Sequence, residues 1–189
     1  MIIGVAVGVP FANVKNKLIV LDKFDRADST SSLGKADTGQ SWQAISGTWG
    51  ISSNRAYVTA DGTDMFAILD AGISDGEVSV LISGTVDYDA RLSFRIADVN
   101  NWFIVDYGAG CFRLVRKLNG AYTELASYTA IRPSQFEVKA VLDGQLIKIF
   151  IDGVQRMSVT DSNHQTVTKH GIGGEKSSAR LDDFTVRSV

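Results

Sequence analysis

The chain has 189 residues, 44% of them hydrophobic and 21% charged, which is enough for one well-buried core. The formal net charge is only -2 and the basic residues are scattered along the sequence, so we expect no nucleic-acid partner. No apolar run reaches the roughly 18 residues that a membrane-spanning helix needs, so we expect no membrane span.

Residues 1–17 are predicted to form an extended N-terminal arm. Its alternating valines and isoleucines, including Ile3, Val5 and Val7, suit a β-strand. No basic residue precedes this apolar stretch, which disfavours a secretory signal. The arm can be an edge strand of its own sheet or can lie along another chain, and the sequence leaves both alternatives open.

From residue 18 onward the sequence predicts a single all-β domain spanning 18–189. Apolar residues fall at alternate positions in short runs, and no stretch has the period of an ordinary amphipathic helix. The first strand, at 18–24, is followed by a long polar loop at 25–40. Further strands are predicted at 55–59, 65–69, 77–86, 90–96, 102–107, 111–118, 122–128, 136–142, 146–151, 154–159 and 179–186.

Several short motifs predict the connections between these strands. The pairs Asn119-Gly120 and Asp152-Gly153 are typical of tight β-hairpins. Trp42 and Trp49 bracket another short hairpin and are predicted to pack in the core. The glycine-rich run at 171–174, followed by a strand at 179–186, resembles the glycine-rich turn and closing strand of a jelly roll.

The segment 89–120, DARLSFRIADVNNWFIVDYGAGCFRLVRKLNG, carries a resemblance to a known fold. It has an arginine at the end of one strand (Arg95), an aspartate and two asparagines in the turn, an aromatic strand, and a third strand closing on Asn-Gly. This pattern resembles the concanavalin A-like jelly rolls of the laminin-G type, and the segments 21–51, 141–154 and 180–186 agree with it.

The resemblance covers about residues 21–189 and implies a two-sheet antiparallel jelly-roll sandwich. In such modules the first and last strands lie side by side. They are common in secreted glycan-binding proteins and in bacteriophage tail or surface proteins, so the resemblance predicts the fold better than it predicts one function.

A sugar site on such a fold is expected on the concave sheet, where polar side chains bind hydroxyls and aromatic rings stack on the sugar. The solvent-facing positions of the central strands supply the candidate carbohydrate-binding residues, which are Arg91, Arg95, Trp102, Asp106, Tyr107 and Arg113. The alternative is that these side chains are the ordinary polar face of an exposed sheet.

Calcium is the one metal that the resemblance suggests, because related modules often join their first and last strands through an oxygen-ligated ion. The candidate ligands are Asp22, Asp25, Asp182 and Asp183. The alternative is that these acidic residues are solvated strand ends. No other cofactor is expected.

The glutamates are few and isolated, and the Glu-x-Asp-x-x-Glu pattern of the familiar hydrolases on this fold is missing, so we expect no enzyme. The leading hypothesis is a virion structural or adhesion protein of a bacteriophage tail, fibre or capsid decoration. Its arm would bind other virion proteins or copies of itself, giving a homo-oligomer, and its jelly roll could bind cell-surface glycans. The alternative is a carbohydrate-binding module of a secreted or cell-surface bacterial protein, and a glycoside hydrolase is a third reading.

Overall fold

A computed structural model describes residues 16–84 and 86–189, which fold into fifteen β-strands. Most of the predicted arm lies outside these described residues. Within them, no helix has the length and hydropathy that crossing a membrane requires. All strand pairings are antiparallel, and the strands form two sheets that pack face to face.

The first sheet has eight strands in the order β13-β12-β11-β6-β15-β4-β3, with β1 pairing on β15. These strands are β1 (Leu18–Asp22), β3 (Trp49–Ile51), β4 (Ala56–Val58), β6 (Gly76–Ser83), β11 (Gln135–Asp143), β12 (Leu146–Ile151), β13 (Val154–Thr160) and β15 (Arg180–Arg187). In the β1–β15 pair, Leu21 lies opposite Thr185. The predicted proximity of the first and last strands is therefore confirmed.

The second sheet has seven strands in the order β10-β9-β8-β7-β14-β5-β2. These strands are β2 (Gln43–Ser46), β5 (Met65–Asp70), β7 (Ala90–Asp98), β8 (Asn101–Gly108), β9 (Cys111–Leu118), β10 (Ala121–Thr129) and β14 (Lys169–Gly174). The predicted meander over 90–118 corresponds to β7, β8 and β9, which are hydrogen-bonded in sequence order. The all-β jelly-roll sandwich predicted from the sequence is confirmed.

Alternation along each strand sends one set of side chains into the core between the sheets. In β7, Leu92 and Phe94 point into this core and are completely buried, while Arg91 and Ser93 take the opposite face. On β11 the same period buries Val138 and Leu142. Trp42 and Trp49 both pack against this core, as predicted.

The outer face of the seven-stranded sheet carries a second, smaller apolar cluster. Its buried members are Phe66, Ile68, Ile96, Trp102, Ile104 and Val115. They come from β5, β7, β8 and β9, so the cluster extends across the middle of the sheet. This cluster lies directly beneath the polar residues of the cleft that is described below.

The turn predicted at 171–174 is wrong, because these residues form β14, which pairs with both β5 and β7. The glycines allow atoms of the neighbouring strands to approach the backbone of β14 closely. A Cβ atom on Gly171 would lie 2.1 Å from the carbonyl oxygen of Ala67, and one on Gly173 would lie 2.7 Å from Cγ of Arg91. No larger residue fits at either position without a backbone or side-chain shift.

Candidate functional site

A cleft of about 460 Å³ opens on the outer face of the seven-stranded sheet. Six charged side chains line it: Asp64, Arg91, Asp106, Arg113, Glu124 and Glu175. The remaining lining consists of Thr63, Tyr88, Ile104, Val115 and Tyr122. The cleft therefore combines a small apolar floor, two tyrosines and a high density of hydrogen-bonding groups.

The strands β7 to β10 place these groups in rows. Ile104 and Asp106 are two residues apart on β8, and Arg113 and Val115 are two residues apart on β9, so each pair shares the outer face. Asp106 lies directly opposite Arg113 in the β8–β9 register. The cleft is thus built mainly on rigid sheet rather than on loops.

Arg91 is one of two almost completely buried charges in the cleft, and only 2% of its side chain is exposed, as for Asp106. Its Nη1 donates to Asp64 Oδ1 over 3.1 Å, and its Nη2 donates to Glu175 Oε1 over 2.6 Å. The missing side chain of Gly173 leaves room for its aliphatic stem. Two carboxylates from separate turns are thereby held against β7, and their negative charges compensate the buried guanidinium.

Arg113 and Asp106 form a bidentate ion pair. Arg113 Nε donates to Asp106 Oδ1 over 3.0 Å, and Nη2 donates to Oδ2 over 2.6 Å. The guanidinium also lies over the ring of Tyr88, 4.7 Å from its centroid, and Gly108 leaves space for that ring. Burial opposes the charge on Arg113, but Asp106, Tyr88 and Glu124 outweigh it, so the pKa of Arg113 is raised.

Tyr122 closes the cleft on β10, and 56% of this residue is exposed. Its hydroxyl hydrogen-bonds with Asp64, whose Oδ2 also accepts from Lys117 Nζ over 3.0 Å. Lys117 lies 4.6 Å from the centroid of the Tyr122 ring. Desolvation and the hydrogen bond to Asp64 raise the pKa of Tyr122, so its ring remains a neutral phenol at neutral pH.

Three of the six predicted carbohydrate-binding residues meet in this cleft, namely Arg91, Asp106 and Arg113. Trp102 does not, because it is completely buried in the cluster below, where its Nε1 donates to Val99 O. The prediction of an exposed Trp102 is wrong. Trp102 lies on the outer face of β8, but the rings of Phe66 and Tyr122 pack on it there.

Arg95 and Tyr107 also lie away from the cleft, and both are buried. The Tyr107 ring belongs to the core between the sheets, and its hydroxyl donates to Ala130 O over 3.0 Å. Arg95 has a left-handed backbone, with φ at 48°, within an irregular part of the β7–β8 pairing.

This backbone turns the Arg95 guanidinium toward the other sheet. It donates to Asp75 Oδ1 over 2.8 Å and to the carbonyl oxygen of Gly144, which follows β11, over 2.7 Å. Burial lowers the pKa of Arg95, although Asp75 opposes that effect. The placement of Arg95 and Tyr107 at solvent-facing positions was therefore wrong, and Arg95 bridges the two sheets instead.

Sequence reasoning missed six polar or aromatic residues of the cleft: Thr63, Asp64, Tyr88, Tyr122, Glu124 and Glu175. Alternation along β10 places Tyr122 and Glu124 on one face, which is a signal that the sequence contained. Asp64 and Glu175 come from turns 27 and 84 residues away from Arg91, and no local pattern connects them to it.

The four predicted calcium ligands do not fit a calcium site in this arrangement. Asp22 is fully buried, and its carboxylate already accepts hydrogen bonds from Phe24, Arg26 and Trp42. Asp182 Oδ2 lies 3.8 Å from Arg55 Nε, and desolvation raises its pKa.

Asp25 and Asp183 do not complete a group of metal ligands either. Across residues 16–84 and 86–189, no group of three or more histidine, cysteine or acidic side chains is arranged to hold a metal ion. The carboxylates of Asp22 and Asp182 instead contact arginine, tryptophan and backbone groups.

The sequence matches no known family model, and it matches no curated protein. Several solved structures are similar in fold. A carbohydrate-binding module from Bacillus subtilis is 20% identical, with a TM-score of 0.59 over 78% of this chain and 93% of that module. Domain 4 of an extracellular arabinanase from Geobacillus stearothermophilus, in complex with arabinotriose, is 13% identical, with a TM-score of 0.60 over 92% of this chain and 93% of that domain.

A galectin from Caenorhabditis elegans is 17% identical, with a TM-score of 0.50 over 72% of this chain and 99% of the galectin. At these identities the likeness concerns the fold. The chain has the concanavalin A-like jelly-roll architecture, in agreement with the resemblance carried by residues 89–120.

Proposed function

We propose that this jelly roll is a glycan-binding module and that the cleft on the seven-stranded sheet is its binding site. The observation that carries the proposal is the combination, in one open cleft, of an exposed tyrosine ring with a preorganised Arg113–Asp106 pair. Sugars present apolar ring faces together with hydroxyl groups that donate and accept. An aromatic surface beside fixed polar groups recognises both features.

The hydrogen bonds already present in the cleft leave groups available for a ligand. Within the described residues, Arg113 uses Nε and Nη2 for Asp106, and its Nη1 remains a possible donor. Glu124 is exposed and lines the cleft, and its carboxylate makes no hydrogen bond or ion pair with the described residues. Arg113 can donate to a sugar hydroxyl, and Glu124 can accept from one.

We propose that the module binds without catalysing hydrolysis. A glycosidase needs one carboxyl group that is protonated and a second that is ionised across the scissile bond. Three cleft carboxylates, those of Asp64, Asp106 and Glu175, already accept hydrogen bonds from arginine or lysine side chains. Such an arrangement favours a fixed recognition surface over an acid and base pair.

The location that fits this proposal best is outside the cell or at the cell surface. The carbohydrate-binding module and the arabinanase domain named above support it, because the arabinanase is described as extracellular. The bacteriophage alternative depends on the arm at residues 1–17, and most of that arm lies outside the described residues. The solved structures named above give the virion hypothesis no support.

A glycan array with the full chain tests the proposed function, followed by calorimetric titration of the best ligand. Replacing Tyr122 with Ala should weaken binding by about 1 to 3 kcal/mol if its ring stacks on the sugar. Tyr57→Ala is the matched control, since Tyr57 lies on β4 of the other sheet. If no glycan binds, or if the control weakens binding as much as Tyr122→Ala, the assignment of the cleft is wrong.

A further inference from the structure

The cleft has more negatively charged than positively charged side chains, and the two kinds differ in whether protein groups already pair with them. Four carboxylates line it, whereas only two guanidinium groups do so. Lys117 adds a third positive charge beside Asp64, and its side chain is only 12% exposed. Negative charge is therefore in excess at the surface that a ligand would contact.

Every cation at the cleft is already paired with a carboxylate. Arg91 lies between Asp64 and Glu175, and its Nε is sealed from solvent without an acceptor in the described structure. Arg113 is paired through two hydrogen bonds with Asp106. Among the described residues, then, no lining cation has an uncompensated charge for an acidic ligand.

In contrast to these paired cations, the carboxylate of Glu124 has no hydrogen-bonded partner among the described residues. It is exposed, it lines the cleft, and the described residues offer it no hydrogen bond. Glu124 interacts electrostatically with Arg113, but the guanidinium of Arg113 is already paired with Asp106. An acidic group on a ligand would therefore meet the field of Glu124 with no free cation to offset it.

We propose that the site selects glycans that lack acidic groups and rejects uronic acids and sulfated or sialylated sugars. This inference rests on the proposed function, because it concerns the ligand of the same cleft. Neutral hydroxyls gain hydrogen bonds from Arg113 and Glu124 without a change in charge. A carboxylate or sulfate placed there faces like charge, and such juxtaposition is a common source of selectivity.

The test uses pairs of oligosaccharides that share sugar and linkage but differ in oxidation of the C6 hydroxymethyl group to a carboxylate. The full chain should bind the neutral member at least about tenfold more tightly than the uronate, because the carboxylate of Glu124 repels that of the uronate. Raising the NaCl concentration should reduce the difference in affinity between the neutral sugar and the uronate, because salt screens the repulsion.

Two substitutions that each remove one negative charge test whether Glu124 causes the selectivity. Glu124→Gln should raise the ratio of uronate affinity to neutral-sugar affinity, because it removes the repelling charge, whereas Glu137→Gln on β11 of the other sheet should leave that ratio unchanged. Uronates bound as tightly as neutral sugars would overturn the selectivity and leave the proposed function standing. An equal effect of the two substitutions would overturn the role of Glu124. Binding of neither class would refute the proposed function and this inference together.

Discussion

The stability of this protein should fall steeply in mildly acidic solution because of one histidine. His170 on β14 is completely buried. Its Nδ1 accepts from the backbone N–H of Arg95 over 3.3 Å, and its Nε2 lies 2.9 Å from the carbonyl oxygen of Ile73. Desolvation, with a smaller contribution from the nearby Arg95 charge, lowers the pKa of His170 from 6.5 to about 4.

The sign and the size of the effect follow from this pKa. Below pH 6.5 the unfolded chain takes up a proton on His170, whereas the folded chain does so only near pH 4. The free energy of unfolding therefore decreases as the pH falls through this window, by about 1.4 kcal/mol per pH unit and about 3 kcal/mol in total. Below pH 4 this residue should contribute no further loss.

Urea unfolding followed by tryptophan fluorescence, repeated between pH 7 and pH 4.5, measures the effect. His170→Gln removes the titrating group, so the variant should lose much less stability than the wild type across this range. His164→Gln is the control, since burial also lowers the pKa of His164 but that residue is only partly buried. Identical pH profiles for the wild type and His170→Gln would refute the reasoning.

Two further predictions concern Trp102 and calcium. Trp102→Ala should destabilise the fold by about 3 to 5 kcal/mol in urea unfolding, because it removes a completely buried ring that packs on Phe66 and Tyr122; a loss below about 1 kcal/mol would contradict its structural role. The melting temperature should not differ between chelator and millimolar calcium, because the carboxylate of Asp22 is already saturated by protein donors. An increase of several degrees with calcium would show a site that the described residues do not form.

The sequence predicted strands such as β11 and β12 because their burial follows a period of two. This alternation, and the Asn-Gly and Asp-Gly pairs at the hairpins, reflect local geometry that a single strand or turn already imposes. Asn119 and Gly120 indeed adopt positive φ angles of 49° and 83°. Features of this kind need no knowledge of distant contacts.

The strand that sequence reasoning took for a turn shows where local patterns fail. Gly171 and Gly173 carry no side-chain signal, and glycines are more common in turns than in strands. Their role depends on Ala67 and Arg91, which approach them from the neighbouring strands. The need for a glycine there arises only when the sheet has formed.

The sequence predicted only part of the candidate site, because some of its features also depend on contacts between distant residues. Alternation correctly placed Arg91, Asp106 and Arg113 on one face. It gives only the face on which Trp102 lies, and not that Phe66 and Tyr122 cover this residue. The left-handed backbone of Arg95 redirected a side chain that regular alternation would have placed on the outer face. The partners of Arg91 come from turns far away in sequence.

The central claim is that a glycan binds in the cleft of the seven-stranded sheet. Chemical-shift mapping of the ¹⁵N-labelled full chain during titration with a glycan identified on the array tests it most directly. The account predicts that the largest shifts fall on Thr63, Tyr88, Arg113, Tyr122 and Glu124, with the outer face of the eight-stranded sheet unchanged. Shifts that cluster on that other sheet, or on the loop at 25–40, would contradict it.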